Sequence, residues 1–167
     1  MKHVLILIWL LSGSAMAAQT CLSTIQPTTP ESSFTDNGDG TLTDSRLGLT
    51  WMRCSLGQVW QDDTCSGEPL ALSWQQALQM AHGYQFGGKG GWRLPNVKEL
   101  ATITEGQCVR PAINQVLFPN TPADDFWSAS PSMSDPQRAW VIAFYNSSNA
   151  LKDKTLFVYA RLVRTAD

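Results

Sequence analysis

The chain has 167 residues, 43% of them hydrophobic, and a formal net charge of −2 from 12 Lys and Arg against 14 Asp and Glu. Basic residues are scattered singly, which excludes a nucleic-acid footprint, and no apolar run reaches the length needed to span a bilayer. With only His3 and His82 present, multi-histidine metal centres are excluded, and a Ser-His-Asp triad would have to use His82.

Residues 1–17 read as a secretory leader. Lys2 and His3 precede the apolar run Val4 to Leu11, and Ala15-Met16-Ala17 supplies an A-x-A cleavage site. An exported chain, periplasmic or extracellular, is expected, in a compartment where disulfides persist. Ala18-Gln19-Thr20 ahead of Cys21 is not a lipidation box, so a soluble product is expected. Residues 18–33, rich in Thr, Ser and Pro, read as an extended N-terminal arm tied down at Cys21. Residues 34–167 then form the folded domain.

Phe34 to Asp44 contains Asn37-Gly38 and Asp39-Gly40 between alternating flanks, which predicts a hairpin. Leu47 to Met52 is the next strand. The segment Cys54 to Cys65 is polar and reads as a stapled loop. Ser73 and Gln76 form a capping box, and Trp74, Ala77, Leu78 and Ala81 make one apolar helical face, with Gly83 as the stop. Phe86 to Gly91 reads as a flexible glycine loop. Asn96 and Glu99 cap a second helix whose buried stripe is Val97, Leu100 and Ala101. Residues 106–125 read as loop with one helical turn. Strands are predicted at Phe126–Ser128, Trp140–Tyr145 and Phe157–Arg164, with Asn146 to Asn149 as the turn between the last two. Strands, two helices, then strands predict an α+β fold with an antiparallel sheet.

An even cysteine count in an exported chain predicts two disulfides, and four cysteines allow three connectivities. Cys54 and Cys65 flank one short loop and are the favoured pair; Cys21 with Cys108 follows by elimination. Of the seven tryptophans, Trp51, Trp74, Trp92, Trp127 and Trp140 read as core. Trp60, placed at the tip of the stapled loop among Gln58, Gln61, Asp62 and Asp63, has two readings: a platform for a sugar or partner, or a ring folded back over a core edge. Arg93 and Arg161 read as buried partners of Glu99 or Asp44.

Five phrases in order carry a resemblance: Asp36 to Asp44 with Gly48-Leu49-Thr50-Trp51; Gly91 to Leu100; Pro111 to Asn114 with Phe118-Pro119; Phe126 to Ser130; and Tyr159 to Arg164. Across roughly residues 34–164 the chain resembles the exported bacterial domain family typified by the C-terminal domain of the Legionella collagen-like adhesin. The resemblance implies a C-type-lectin-like fold, similar to formylglycine-generating enzymes, with two helices packed on a twisted antiparallel sheet with long loops. It also implies a surface-binding role, with sulfated polysaccharides among the family's ligands. No collagen-like G-x-y repeat occurs in this chain.

Calcium and other cofactors are not expected. Placing Gly40 at position 6 of an EF-hand loop puts Thr35 at position 1 and Arg46 at position 12, neither a suitable ligand. Asn120, Asp124 and Asp125 are the nearest candidates for a lectin-type binding loop, without the carboxylate–amide motifs of calcium-dependent sugar sites. No C-x-x-C, zinc motif, nucleophile elbow or phosphate loop is present. The expected function is therefore a non-catalytic exported module that recognises a glycan, sulfated or not, or a protein surface. The rival readings are a structural component of an envelope or pilus system without a glycan ligand, and an unrecognised hydrolase.

Overall fold

The structure is a computed structural model and describes residues 18–167. The expected leader, residues 1–17, lies outside the described residues. Strand β1 (Thr20–Cys21) pairs with β7 (Cys108–Val109), Cys21 opposite Cys108, and the Cys21–Cys108 disulfide locks that pair. The second disulfide joins Cys54 to Cys65, so both expected pairings form. Beyond β1 the arm is held at Thr28 and Thr29, which donate to the buried carboxylate of Glu105. One turn of 3-10 helix, Glu31–Ser33, leads into the sheet.

The predicted first hairpin forms from β2 (Phe34–Asp36) and β3 (Thr41–Asp44), with Phe34 opposite Asp44. Its connection is an acid-stitched turn. Asp36 accepts from the Gly38 N–H at 2.9 Å, and one Asp39 oxygen accepts from the Thr41 N–H at 3.0 Å and from its hydroxyl at 2.5 Å. Strand β4 (Leu49–Met52) pairs with β3, and the C-terminal β11 (Val163–Thr165) pairs with β4 on its other side. The ladder order is β11-β4-β3-β2, antiparallel throughout.

The Cys54–Cys65 segment is not a bare loop. It builds a second hairpin, β5 (Val59–Gln61) with β6 (Thr64–Ser66), turning at Asp62 and Asp63, both at positive φ. Helix α1 (Trp74–Ala81) starts at the Ser73–Gln76 capping box and is followed by Gly83 at φ +75°. Ala77 and Ala81 are buried, whereas Trp74 and Leu78 are half-buried at the margin, a correction to the core reading of Trp74. Small alanines let this short helix approach the sheet closely, which leaves the indole at the rim. There its N–H donates to the Ser128 carbonyl at 2.8 Å and Lys154 lies over its ring at 4.2 Å. The glycine segment is also corrected: Phe86 and Lys89 exchange two backbone hydrogen bonds of 3.0 Å, closing a tight turn. Helix α2 (Val97–Ala101) carries the second capping box at Asn96 and Glu99. Leu100 is buried and Val97 half-buried, but Ala101 is exposed; Ile103, one turn on, takes the buried place.

The last third differs most from expectation. Strands β8 (Asp125–Pro131), β9 (Arg138–Ala143) and β10 (Ser148–Asp153) form a ladder of order β10-β9-β8. A turn forms two residues earlier than expected, at 144–147, and Ser148 and Asn149 already belong to β10, which sequence alone did not suggest because Ser148 to Asp153 is mostly polar. Residues 157–162 then run as an extended segment that touches the sheets at two single bridges, Leu72 with Val158 and Phe126 with Tyr159. Residues 106–124 hold β7 and turns, and the expected helical turn forms at Asn114–Phe118, where the Phe118 N–H donates to the Asn114 carbonyl at 2.9 Å.

Two apolar clusters divide the strands by side-chain parity, since neighbouring residues on a strand point to opposite faces. Met52, Trp127, Val141 and Leu162 join α1, Trp92 and Leu94 in one cluster. Their neighbours Trp51, Phe126, Ile142 and Val163 join Leu100, Ile113, Phe118 and Phe144 in the other. Both faces of these strands are therefore covered. Trp51, Trp92 and Trp127 are buried as expected; Trp140 is corrected to half-buried, because the face it shares with Arg138 is open at that end of β9.

Candidate functional site

Of the four candidate binding residues, Trp60 stands apart from the other three. Trp60 sits in β5 opposite Cys65, one position short of the turn formed by Asp62 and Asp63, so it is not the tip of its loop. Its half-buried ring is turned inward, 4.2 Å from the Arg53 guanidinium. The ring also packs on the first hairpin, where a Cβ at Gly40 would lie 2.6 Å from Trp60 Cγ. Arg53 is in turn held by Asp36 at 2.7 Å and by the carbonyls of Val116 and Leu117. The folded-back arrangement is the one observed.

Asn120, Asp124 and Asp125 lie along one depression on the other side of the β5–β6 hairpin. Asn120 adopts φ +52°, and its Nδ2 donates to the Cys65 carbonyl at 2.8 Å, so it clamps the hairpin. Gln58 reinforces this clamp, donating to the carbonyls of Gly67 and Asn120. Asp125 pairs with Lys152 at 2.9 Å, and Asp124 accepts from the Asp125 N–H at 2.7 Å. The Lys152 ammonium is pushed above its ordinary pKa by Asp125.

The depression has two adjoining parts that share one lining residue. A cleft of about 880 Å³ runs between the base of the hairpin, the Asn120–Ala123 segment and Arg110–Pro111. A smaller one of about 250 Å³ is lined by Ala71, Asp124, Asp125, Lys152, Leu156 and Phe157. Tyr159 lines both, so the two lie side by side as a trough with its ring between them. Its half-buried ring is backed by fully buried Phe126, centroid to centroid 5.7 Å. Phe157, two residues before it on the same side of the extended segment, is 68% exposed. Tyr145 is 44% exposed beside Arg110, whose Nε donates to its hydroxyl at 2.8 Å.

Arg161 fixes the floor. Its side chain is completely buried, and it donates to the carbonyls of Met52 and Arg53 and, at 2.5 Å, to the Thr121 hydroxyl. Its guanidinium lies 4.8 Å from the Phe118 ring, and burial pushes its pKa down to about 9, so it stays cationic at neutral pH. The expected Arg161–Asp44 pair is corrected: Asp44 is bound by Arg46 at 2.9 Å. The alternation that buries Ala160 and Leu162 would send position 161 outward, but the Asn120–Ala123 segment folds over it. Arg93 does pair with Glu99, at 2.8 Å through both terminal nitrogens, but from a part-exposed position and not a buried one. Glu99 is held below the usual carboxylate range by that contact.

The hairpin carboxylates are committed elsewhere, Asp36 to Arg53 and Asp39 to Thr41, and no group of three or more His, Cys, Asp or Glu placed to hold a metal ion occurs among the described residues. No helix among the described residues is long and apolar enough to cross a membrane. The residues missed by sequence reasoning are Tyr159, Phe157 and Arg110. A signal was present for two of them: once Val158, Ala160 and Leu162 were read as the inward face, the alternate positions Phe157 and Tyr159 form an aromatic pair on the outward one.

No curated protein matches the chain. A family model, the Lcl C-terminal domain, matches residues 40–164, which run from the turn of the first hairpin through β4 and both helices into β11 and include the trough except for Ala18 and Gln19. The chain belongs to the Lcl C-terminal domain family.

Proposed function

We infer that this chain is a non-catalytic, exported recognition module of C-type-lectin-like fold that binds a glycan chain in the trough centred on Tyr159. The observation that carries the reading is the aromatic pair, Phe157 exposed and Tyr159 braced from behind by Phe126. Two residues of extended chain separate such rings by roughly 7 Å, a spacing that suits successive sugar units stacking on them. Around them stand amide groups for orientation, Gln115 and the side-chain oxygen of Asn120 among them. Membership of the Lcl family supports an adhesin-like role, and the two disulfides support export.

The test is a panel of neutral and acidic oligosaccharides titrated calorimetrically against residues 18–167. Phe157→Ala, at an exposed position, is expected to weaken binding about tenfold, about 1.4 kcal/mol, with the melting temperature unchanged. Tyr159→Ala weakens it further. If no glycan binds, or if Phe157→Ala binds as well as the parent, the reading is wrong. Leu156, exposed next to Phe157, favours one second reading, a protein surface docking on the same face. Capture of an envelope protein in place of sugar, lost in Phe157→Ala, is its signature.

A further inference from the structure

We propose that the α-amino group of Ala18, freed by cleavage after Ala17, is a ligand-binding group of the trough that acts with Arg110 on an anionic substituent of the ligand, an assignment that rests on the trough being the binding site. Ala18 and Gln19 form part of the wall of the larger cleft, next to Arg110, Pro111 and Gln115. Their position is fixed. Gln19 Nε2 donates to the carbonyls of Pro111 and Ile113, both at 2.7 Å. Thr20 pairs with Val109, and Cys21 is covalently bound to Cys108. A group on Ala18 is thus one residue from a double hydrogen bond and three from a disulfide.

Independently, the Ala15-Met16-Ala17 motif puts the cut immediately before this residue. Cleavage there turns an amide nitrogen into an ammonium, whose ordinary pKa of about 7.7–8.0 keeps it mostly charged at neutral pH. Arg110 is already a cation without a carboxylate partner among the described residues. It donates to the Tyr145 hydroxyl, and its guanidinium lies 5.1 Å from that ring. The cut therefore makes this end of the cleft doubly cationic, while the one acid on the cleft wall, Glu68, comes from the segment after β6. An uncut or extended chain lacks that charge at Ala18.

Three forms of the protein test this: one beginning at Ala18, one with Gly-Ser-Gly ahead of Ala18, and one with its α-amine acetylated. Each is titrated with a galacturonate tetramer and with the uncharged galactose tetramer. The form with the free Ala18 amine is expected to bind the galacturonate tetramer about tenfold tighter than either blocked form, with acetylation leaving the galactose tetramer unaffected. Galacturonate affinities within about twofold across the three forms overturn the proposal and leave the trough as a glycan site. Failure of every form to bind either tetramer overturns the proposal, while the glycan reading is decided by the wider oligosaccharide panel. A secreted protein whose first residue, by mass, is not Ala18 overturns it as well.

Discussion

Glu105 is the residue on which the N-terminal arm most depends, and Glu105→Gln measures how much. In the folded chain Oε1 accepts from the N–H groups of Thr28 and Gln107, and Oε2 accepts from the Thr29 N–H at 3.0 Å and its hydroxyl at 2.6 Å. Glutamine keeps one acceptor oxygen but turns an NH2 group toward two donors. Losing two charge-assisted bonds of about 1.5 kcal/mol each gives a cost of about 3 kcal/mol. For a chain of this size that lowers the melting temperature by roughly 6–12 °C. The pH dependence follows from the same contacts. Burial pushes the Glu105 carboxyl up, but the hydrogen bonds from Thr29, Thr28 and Gln107 outweigh it and hold the pKa below the ordinary value. A depressed folded pKa means the stabilisation is complete above the unfolded value of about 4.3 and fades as pH falls through the folded one. Urea unfolding of parent and variant without reductant, at pH 7 and then at pH 3, should show the gap narrowing in acid. A difference below about 0.5 kcal/mol at pH 7 would refute the pinning role of this carboxylate.

The two disulfides close loops of very different length, with sequence separations of 11 and 87. In the chain-entropy account, Cys54→Ser/Cys65→Ser costs about 3 kcal/mol and Cys21→Ser/Cys108→Ser about 4.5, and urea midpoints that reverse this order would contradict it. Gly40→Ala forces a positive-φ backbone and drives a Cβ to 2.6 Å from Trp60 Cγ, so it should cost about 2 kcal/mol or more. Combined with Trp60→Ala it should cost less than the sum of the two, since the contacts with Cγ and Cδ1 are then gone and only the Cβ of residue 60, at 2.8 Å, stays in the way; strict additivity would show that the ring does not seat on the turn. Trp60→Ala alone should lower stability by about 2 kcal/mol through lost packing on Arg53 and leave glycan binding unchanged.

Local physics made much of the chain legible in advance. Asn37-Gly38 and Asp39-Gly40 specify a turn within a few residues, the Ser73–Gln76 and Asn96–Glu99 boxes specify helix starts, and all of them form. Cysteine spacing sufficed for both disulfides because the shortest loop is also the easiest to close. Three neighbouring positions of the site, Asn120, Asp124 and Asp125, could be picked out, but not what their side chains do.

What sequence could not decide were the relations between distant segments. Trp60 was free to face outward until Arg53 and Gly40 were known to lie beneath it, and that depends on β3, β4 and β5 meeting. Arg161 lies in an outward-facing register, and only the closure of the Asn120–Ala123 segment above it makes it a buried, hydrogen-bonded cation. Tyr159 becomes a platform because Phe126, from a strand more than thirty residues earlier, stands behind it. Turns and caps are set by forces acting within four or five residues, so the sequence alone determined them. The trough is set by which surfaces the two cores bring together, so only the tertiary structure could decide it.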